Sequence, residues 1–95
     1  MSAFELPVLE ILRIARQHGA SNVRVFGSRA RGDARPDSDL DLLVTLEPSR
    51  SLLDLVAIKQ DLEDLLVWTV DVVTENGLSP YLRDQILAEA RPLAT

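Results

Sequence analysis

Apolar residues recur along this chain with two periods, and the switches between them mark the elements. From 6 to 18, Leu6, Leu9, Leu12 (or Ile11) and Ala15 fall at helical spacing, and Gly19 supplies a stop. Val23-Arg24-Val25-Phe26 then reads as a short strand ending at Gly27, followed by a helical turn over 28–31 and a polar loop from Gly32 to Ser38 that contains Pro36. Asp39 to Leu46 alternates as a strand does. Ser51-Leu52-Leu53-Asp54 resembles a capping box with Asp in place of the usual Glu, and Leu55, Ile58, Leu62 and Leu65 form the apolar stripe behind it. Val67 to Thr74 is rich in β-branched residues and reads as a third strand. Asn76-Gly77 is a turn, Ser79-Pro80 fits an N-cap with proline at the first helical position, and Leu82, Ile86 and Ala90 carry a last helix. The expected order is α-β-α(short)-β-α-β-α, an α/β (α+β) arrangement in one domain over 1–95, with a small mixed sheet of about three strands flanked by helices.

Composition narrows the class. With 95 residues and 46% hydrophobic content there is material for one core, although a chain this short buries only about 60–65% of its unfolded surface. No run of apolar residues is long enough for a membrane span. The start, Met1-Ser2-Ala3-Phe4-Glu5, lacks the basic and apolar regions of a secretory signal, and the absence of cysteine removes disulfides and thiolate zinc sites, so a cytoplasmic protein is expected. A net charge of −5 argues against nucleic-acid binding, where cationic side chains supply most of the affinity. The charge is uneven, however: Arg24, Arg29, Arg31 and Arg35 cluster, while acids dominate from Asp37 to Asp64. A basic patch beside acids suits a small polyanion held with a divalent cation.

The acids carry the candidate chemistry. Asp39 and Asp41 stand two apart in a strand, so both carboxylates project from one side with Cα atoms about 6.6 Å apart, while Leu40, Leu42 and Val44 fill the other face. Like charges that close call for a counter-charge, and all-oxygen ligands favour Mg²⁺ or Mn²⁺. Asp71 interrupts the apolar strand Val70-Asp71-Val72-Val73, where a lone carboxylate is costly to bury unless paired or metal-bound. If the third strand lies beside the second, Asp71 joins the pair, and three carboxylates around two Mg²⁺ ions is a layout for phosphoryl transfer. Gly27-Ser28 closes the first strand where backbone N–H groups and a hydroxyl can cradle phosphate oxygens. Antiparallel pairing of the first two strands brings that turn and the acids to one edge of the sheet.

Other readings of these residues are weaker. Gly27 and Gly32 have Walker-A spacing, but Asp33-Ala34 follows where Lys-Ser/Thr is required. Asp37-Ser38-Asp39-Leu40-Asp41 begins like a calcium loop, yet Leu42 replaces its glycine and Pro48 its last ligand. Asp71 could instead pair with Arg24 or Arg31 as a structural ion pair, and Ser28 could be a simple N-cap. Arg29 and Arg31 suit phosphate recognition, though surface arginines are common. His18 is placed by the dipole of the first helix, Trp68 in the core or on a partner surface, Tyr81 by packing, and Lys59 in solvent off the apolar stripe.

Gly27-Ser28-Arg29-Ala30-Arg31-Gly32 followed by Ser38-Asp39-Leu40-Asp41-Leu42-Leu43-Val44 resembles the signature of the polymerase-β-like nucleotidyltransferase superfamily, in which Gly-Ser is followed after ten residues by Asp-x-Asp. The fuller spelling resembles its minimal nucleotidyltransferase branch, and Asp71 matches that family's third acid. The resemblance spans almost the whole chain, through Ile86-Leu87-Ala88-Glu89-Ala90. It implies a palm-like fold and Mg²⁺-dependent transfer of NMP, AMP from ATP being the expected case. In that scheme Asp39 and Asp41 bind the metals, Asp71 helps activate the acceptor hydroxyl and contributes to the metal site, and Gly27, Ser28, Arg29 and Arg31 hold the triphosphate. The resemblance also implies a partner: the branch commonly serves as the antitoxin of an all-helical HEPN ribonuclease toxin, which is silenced by adenylylation of a tyrosine. A chain this small has no room for domains holding base and acceptor, so a partner or oligomerisation would complete the site. Two further expectations stand beside this one: a non-catalytic module that caps a toxin, and a nucleotidyltransferase subunit acting on a small molecule such as an aminoglycoside.

Overall fold

The computed structural model describes residues 6–93. Its elements are α1 (Val8–Gln17), β1 (Ala20–Phe26), α2 (Ser28–Arg31), β2 (Leu40–Leu46), α3 (Leu52–Leu66), β3 (Val70–Thr74), a 3₁₀ turn (Glu75–Gly77), α4 (Pro80–Glu89) and β4 (Arg91–Pro92). The sheet has four strands in the order β3-β2-β1-β4. β1 runs antiparallel to both β2 and β4, and β2 runs parallel to β3. The parallel pair requires a crossover, which α3 provides.

β2 is the centre of the sheet and its sequence shows why. Leu40, Leu42, Leu43 and Val44 are all buried, so both faces of this strand are covered. One face carries the main core, in which Leu40, Leu42 and Val44 pack with Val23, Val25 and Val70 of the neighbouring strands, Ile11 and Ala15 of α1, and Leu55, Ile58 and Leu62 of α3. The capping box at the start of α3 forms: Ser51 Oγ accepts from the Leu53 N–H, and the Asp54 carboxylate accepts from the Ser51 N–H. Ser79 caps α4 with Pro80 at its first position. Among the described residues no helix is long and apolar enough to cross a membrane.

Several expectations are corrected. The inward face of α1 is Ile11 and Ala15, and Leu9 lies outside at 64% exposure, because Ile11 is the residue that reaches the sheet. In α3 the stripe runs from Leu62 to the partly buried Leu66, and Leu65 is exposed. β3 begins at Val70 and not Val67, since Val67 takes a left-handed conformation (φ 59°) that ends α3. β1 starts earlier, at Ala20, and carries an irregularity between Ser21 and Arg24 where Asn22 has positive φ. The last helix buries none of its residues, and Leu82 is half exposed. Ala90 already leaves the helix in extended conformation, and the two residues beyond it pair with β1 as a fourth strand. Proline is tolerated there because the position is an edge.

Two side chains bind the layers. His18 Nε2 lies 2.9 Å from Asp61 Oδ2, linking the end of α1 to α3. Lys59, expected in solvent, donates to Glu63 Oε2 at 2.7 Å and to the Val70 carbonyl at 2.8 Å, while the Val70 N–H donates to the same Glu63 oxygen. The start of β3 is thereby fixed to α3. The corrected face of α1 is testable by urea denaturation. Ile11→Ala is expected to cost about 2–5 kcal/mol as a buried large-to-small change, and Leu9→Ala to stay within about 0.5 kcal/mol. The reverse order would restore the other face.

Candidate active site

The acid-bearing strands meet as their patterns require. In the antiparallel pair β1–β2, Phe26 is opposite Asp41, and in the parallel pair β2–β3, Asp41 is opposite Asp71. Asp41 is therefore the hinge of the site, flanked by the end of β1 on one side and by Asp71 on the other. Asp39 lies one residue before the ladder begins at Leu40. Asp39 and Asp71 are exposed and Asp41 is partly covered: β3 is an edge strand, so Asp71 faces solvent and the cost of burying a lone carboxylate does not arise there.

Burial first, then the neighbouring charges of Asp71 and Asp39 and a hydrogen bond to Asp71, together raise the pKa of Asp41 from 3.8 to about 6. No Lys or Arg pairs with Asp39, Asp41 or Asp71 among the described residues, which disposes of the structural ion pair with Arg24 or Arg31. Arg24 pairs with Glu75 at 3.1 Å instead. The Asp41–Asp71 contact is thus an oxygen-rich, negatively charged place without a protein counter-charge, and its donors are of the kind Mg²⁺ or Mn²⁺ takes. Among the described residues no three acidic or histidine side chains are already close enough to enclose an ion. The pair is formed; the trio is open.

Gly27 adjoins this pair. Its φ of 76° and ψ of −156° lie in a region only glycine occupies at low cost, and a Cβ there would run into Asp41 Oδ2. The turn and the carboxylate can share this corner only if residue 27 has no side chain. α2 begins immediately after, at Ser28.

The arginines separate into distinct roles. Arg31 reaches Asp33 Oδ2 and Glu89 Oε2, both at 3.3 Å. Arg29 donates from Nη2 to the Ser38 carbonyl at 2.7 Å, and its guanidinium lies 3.8 Å from the centroid of the Trp68 ring. A cation over an indole contributes about 0.5–2 kcal/mol depending on its desolvation. Trp68 is expected in the core or on a partner surface and Arg29 at the triphosphate; the structure engages them with each other.

Glu89 is the site residue that sequence reasoning missed. Its Oε1 accepts from the Gly27 N–H at 2.9 Å, its carboxylate meets Arg31, and its charge contributes to the raised pKa of Asp41. The available signal was an acid in the otherwise apolar run Ile86-Leu87-Ala88-Glu89-Ala90. The Gly27 amide is shown here to hold an anionic oxygen, though the one it holds belongs to the protein.

A pair of touching carboxylates, a glycine–serine corner and a parallel β2–α3–β3 unit define a nucleotidyltransferase-type site. The chain belongs to the nucleotidyltransferase domain family, which its residues 8–93 match, and it is a nucleotidyltransferase. It is 44% identical to a candidate protein adenylyltransferase of Methanocaldococcus jannaschii over 81 residues, 85% of this chain and 87% of that one. A solved structure described as a candidate minimal nucleotidyltransferase shares 56% identity and a TM-score of 0.80, covering 90% of this chain and 88% of the other. The fold is also that of an MNT antitoxin solved with a tri-AMPylated HEPN toxin from Shewanella oneidensis, at 20% identity and a TM-score of 0.69, covering 92% of this chain and 68% of that one.

The raised pKa of Asp41 has a definite sign. Between the ordinary value of 3.8 and about 6 the folded protein holds a proton that the unfolded chain has lost. This residue's contribution to stability is therefore greatest in acid and declines as pH rises through that window. In metal-free protein, Asp41→Asn is expected to remove this decline and to be the more stable form above it. Urea midpoints of the two proteins across the window measure this, and parallel curves would refute it.

Proposed function

We propose that this nucleotidyltransferase transfers AMP from ATP to a hydroxyl of a protein partner, a tyrosine of a helical HEPN ribonuclease, and so acts as an antitoxin. The observation that carries the reading is the Asp41–Asp71 contact, held by strand pairing beside Gly27-Ser28 with no cation from the protein to balance it. The adenylyltransferase name of the M. jannaschii relative and the AMP-bearing toxin of the structural neighbour support the choice of nucleotide and acceptor.

Asp39, Asp41 and Asp71 are the residues that would hold Mg²⁺. Bound there, the metal supplies neutralisation of charge on the α-phosphate and lowers the pKa of the acceptor hydroxyl. The Ser28 hydroxyl and the first amides of α2, which a helix cannot satisfy internally, orient the triphosphate. Arg31 adds positive charge at the same corner. Gly27 contributes clearance beside Asp41, since its own N–H is taken by Glu89. The acceptor oxygen attacks the α-phosphorus, the bond to the β-phosphate bridging oxygen breaks, and pyrophosphate leaves. Asp71 takes the acceptor's proton in this reading, which its exposure on an edge strand supports.

Calorimetry should show ATP binding that requires Mg²⁺ and is lost in Asp39→Asn/Asp41→Asn, and mass spectrometry should find AMP on a co-expressed helical partner with the wild type alone. ATP binding that survives the double substitution would remove the metal site from the reading. A partner silenced equally well by the double variant would show that binding without catalysis suffices.

A further inference from the structure

We infer that Arg29 is a positioning residue for the acid cluster, gripping the segment before Asp39 and the segment before Asp71 together, and is not a ligand of the triphosphate. The inference rests on the metal and nucleotide reading above and deepens it.

Three observations carry it. First, the Arg29 guanidinium touches both segments, through the 2.7 Å bond from Nη2 to the Ser38 carbonyl and the 3.8 Å stack on Trp68. Ser38 immediately precedes Asp39, and Trp68 comes three residues before Asp71. Second, the place it grips is where the sheet's own hold ends. The Leu40 N–H donates to the Thr69 carbonyl at 2.9 Å, and the β2–β3 register begins at Leu40 and Val70. Asp39 lies outside that ladder, so its position against Asp41 and Asp71 depends on what fixes residue 38. Third, Arg29 Nε and Nη1 are shielded from solvent and have no partner among the described residues. Both are closed to solvent as the side chain stands, so an incoming phosphate would have to displace what covers them. The guanidinium is held by its face on Trp68 and by one edge on Ser38, which fixes it where it aligns the two segments.

The geometry requires a planar cation that donates at its edge and stacks on its face, which lysine does not provide. Because Arg29 follows Ser28 directly, the grip also ties the phosphate-side turn to the acids.

The test uses Mn²⁺ alone, without nucleotide, followed by electron paramagnetic resonance, because a pure phosphate ligand has no part in that equilibrium. Arg29→Ala is expected to weaken Mn²⁺ binding about tenfold or more, as loss of groups supporting metal ligands does. Trp68→Ala, which removes the stack alone, should also weaken it, and the double variant should be no worse than Arg29→Ala, since that substitution already removes both the stack and the Ser38 bond. Arg29→Lys, which keeps the charge, should fail to restore binding; it also serves if the alanine variant does not fold. Trp68 is the only tryptophan of the chain, so its emission reports the stack directly and should shift to the red in folded, metal-free Arg29→Ala.

Mn²⁺ binding unchanged in Arg29→Ala, full rescue by lysine, or unchanged Trp68 emission would overturn the inference while leaving the nucleotidyltransferase site intact. Wild-type protein that binds no Mn²⁺ would overturn both.

Discussion

Backbone pairing holds two carboxylates against each other in this protein, and most of the site's properties follow from that constraint. Asp41 and Asp71 are register partners in a parallel ladder, so neither can withdraw without disturbing strands that also carry Leu40, Leu42, Val44 and Val70 into the core. The packing is strong enough to impose the repulsion. Desolvation of Asp41, with the repulsion added to it, raises the pKa of that member of the pair. A site made this way is short of positive charge in the free protein and favours whatever cation arrives.

The phosphate-side corner obeys the same geometry. β1 ends opposite Asp41, and chain reversal at that point leads directly into α2. The glycine has to be there because the carboxylate already fills the space a side chain would take. Glu89 then closes the corner from the far end of the chain, accepting from the Gly27 N–H and meeting Arg31. That contact gives α4, which buries none of its residues, a polar reason for its position.

What the sequence disclosed, and what it withheld, separates by the range of the interaction. The short-range features were legible: the two-residue spacing of Asp39 and Asp41, the capping box at Ser51, the proline start of α4, and Asp71 as an acid misplaced among β-branched residues. The strand pairings entered as conditions: antiparallel pairing of the first two strands, and the third beside the second, would bring glycine, serine and the acids together, and both pairings form. Features created by distant contacts were not legible. Which stripe of α1 turns inward depends on the sheet surface it meets, and Leu9 and Ile11 are equally apolar. β4 is two residues long and follows a helical pattern that ran into it. The Arg29–Trp68 stack joins residues with no common periodicity, and Lys59 looks solvated until the Val70 carbonyl is known to lie beside it.

The distribution of burial among the acids is consistent with the size of the chain. Small domains retain only a few kcal/mol of net stability, and a fully desolvated charge without a partner costs a large part of that. Three buried carboxylates would exceed what this core offsets. The fold instead covers Asp41 in part, because it stands on the central strand, and leaves Asp39 before the ladder and Asp71 on the edge strand, both in contact with water. The electrostatic cost is concentrated in one residue. The same openness that makes this cost tolerable leaves Asp71 reachable from outside, which is what a hydroxyl presented by another protein would need.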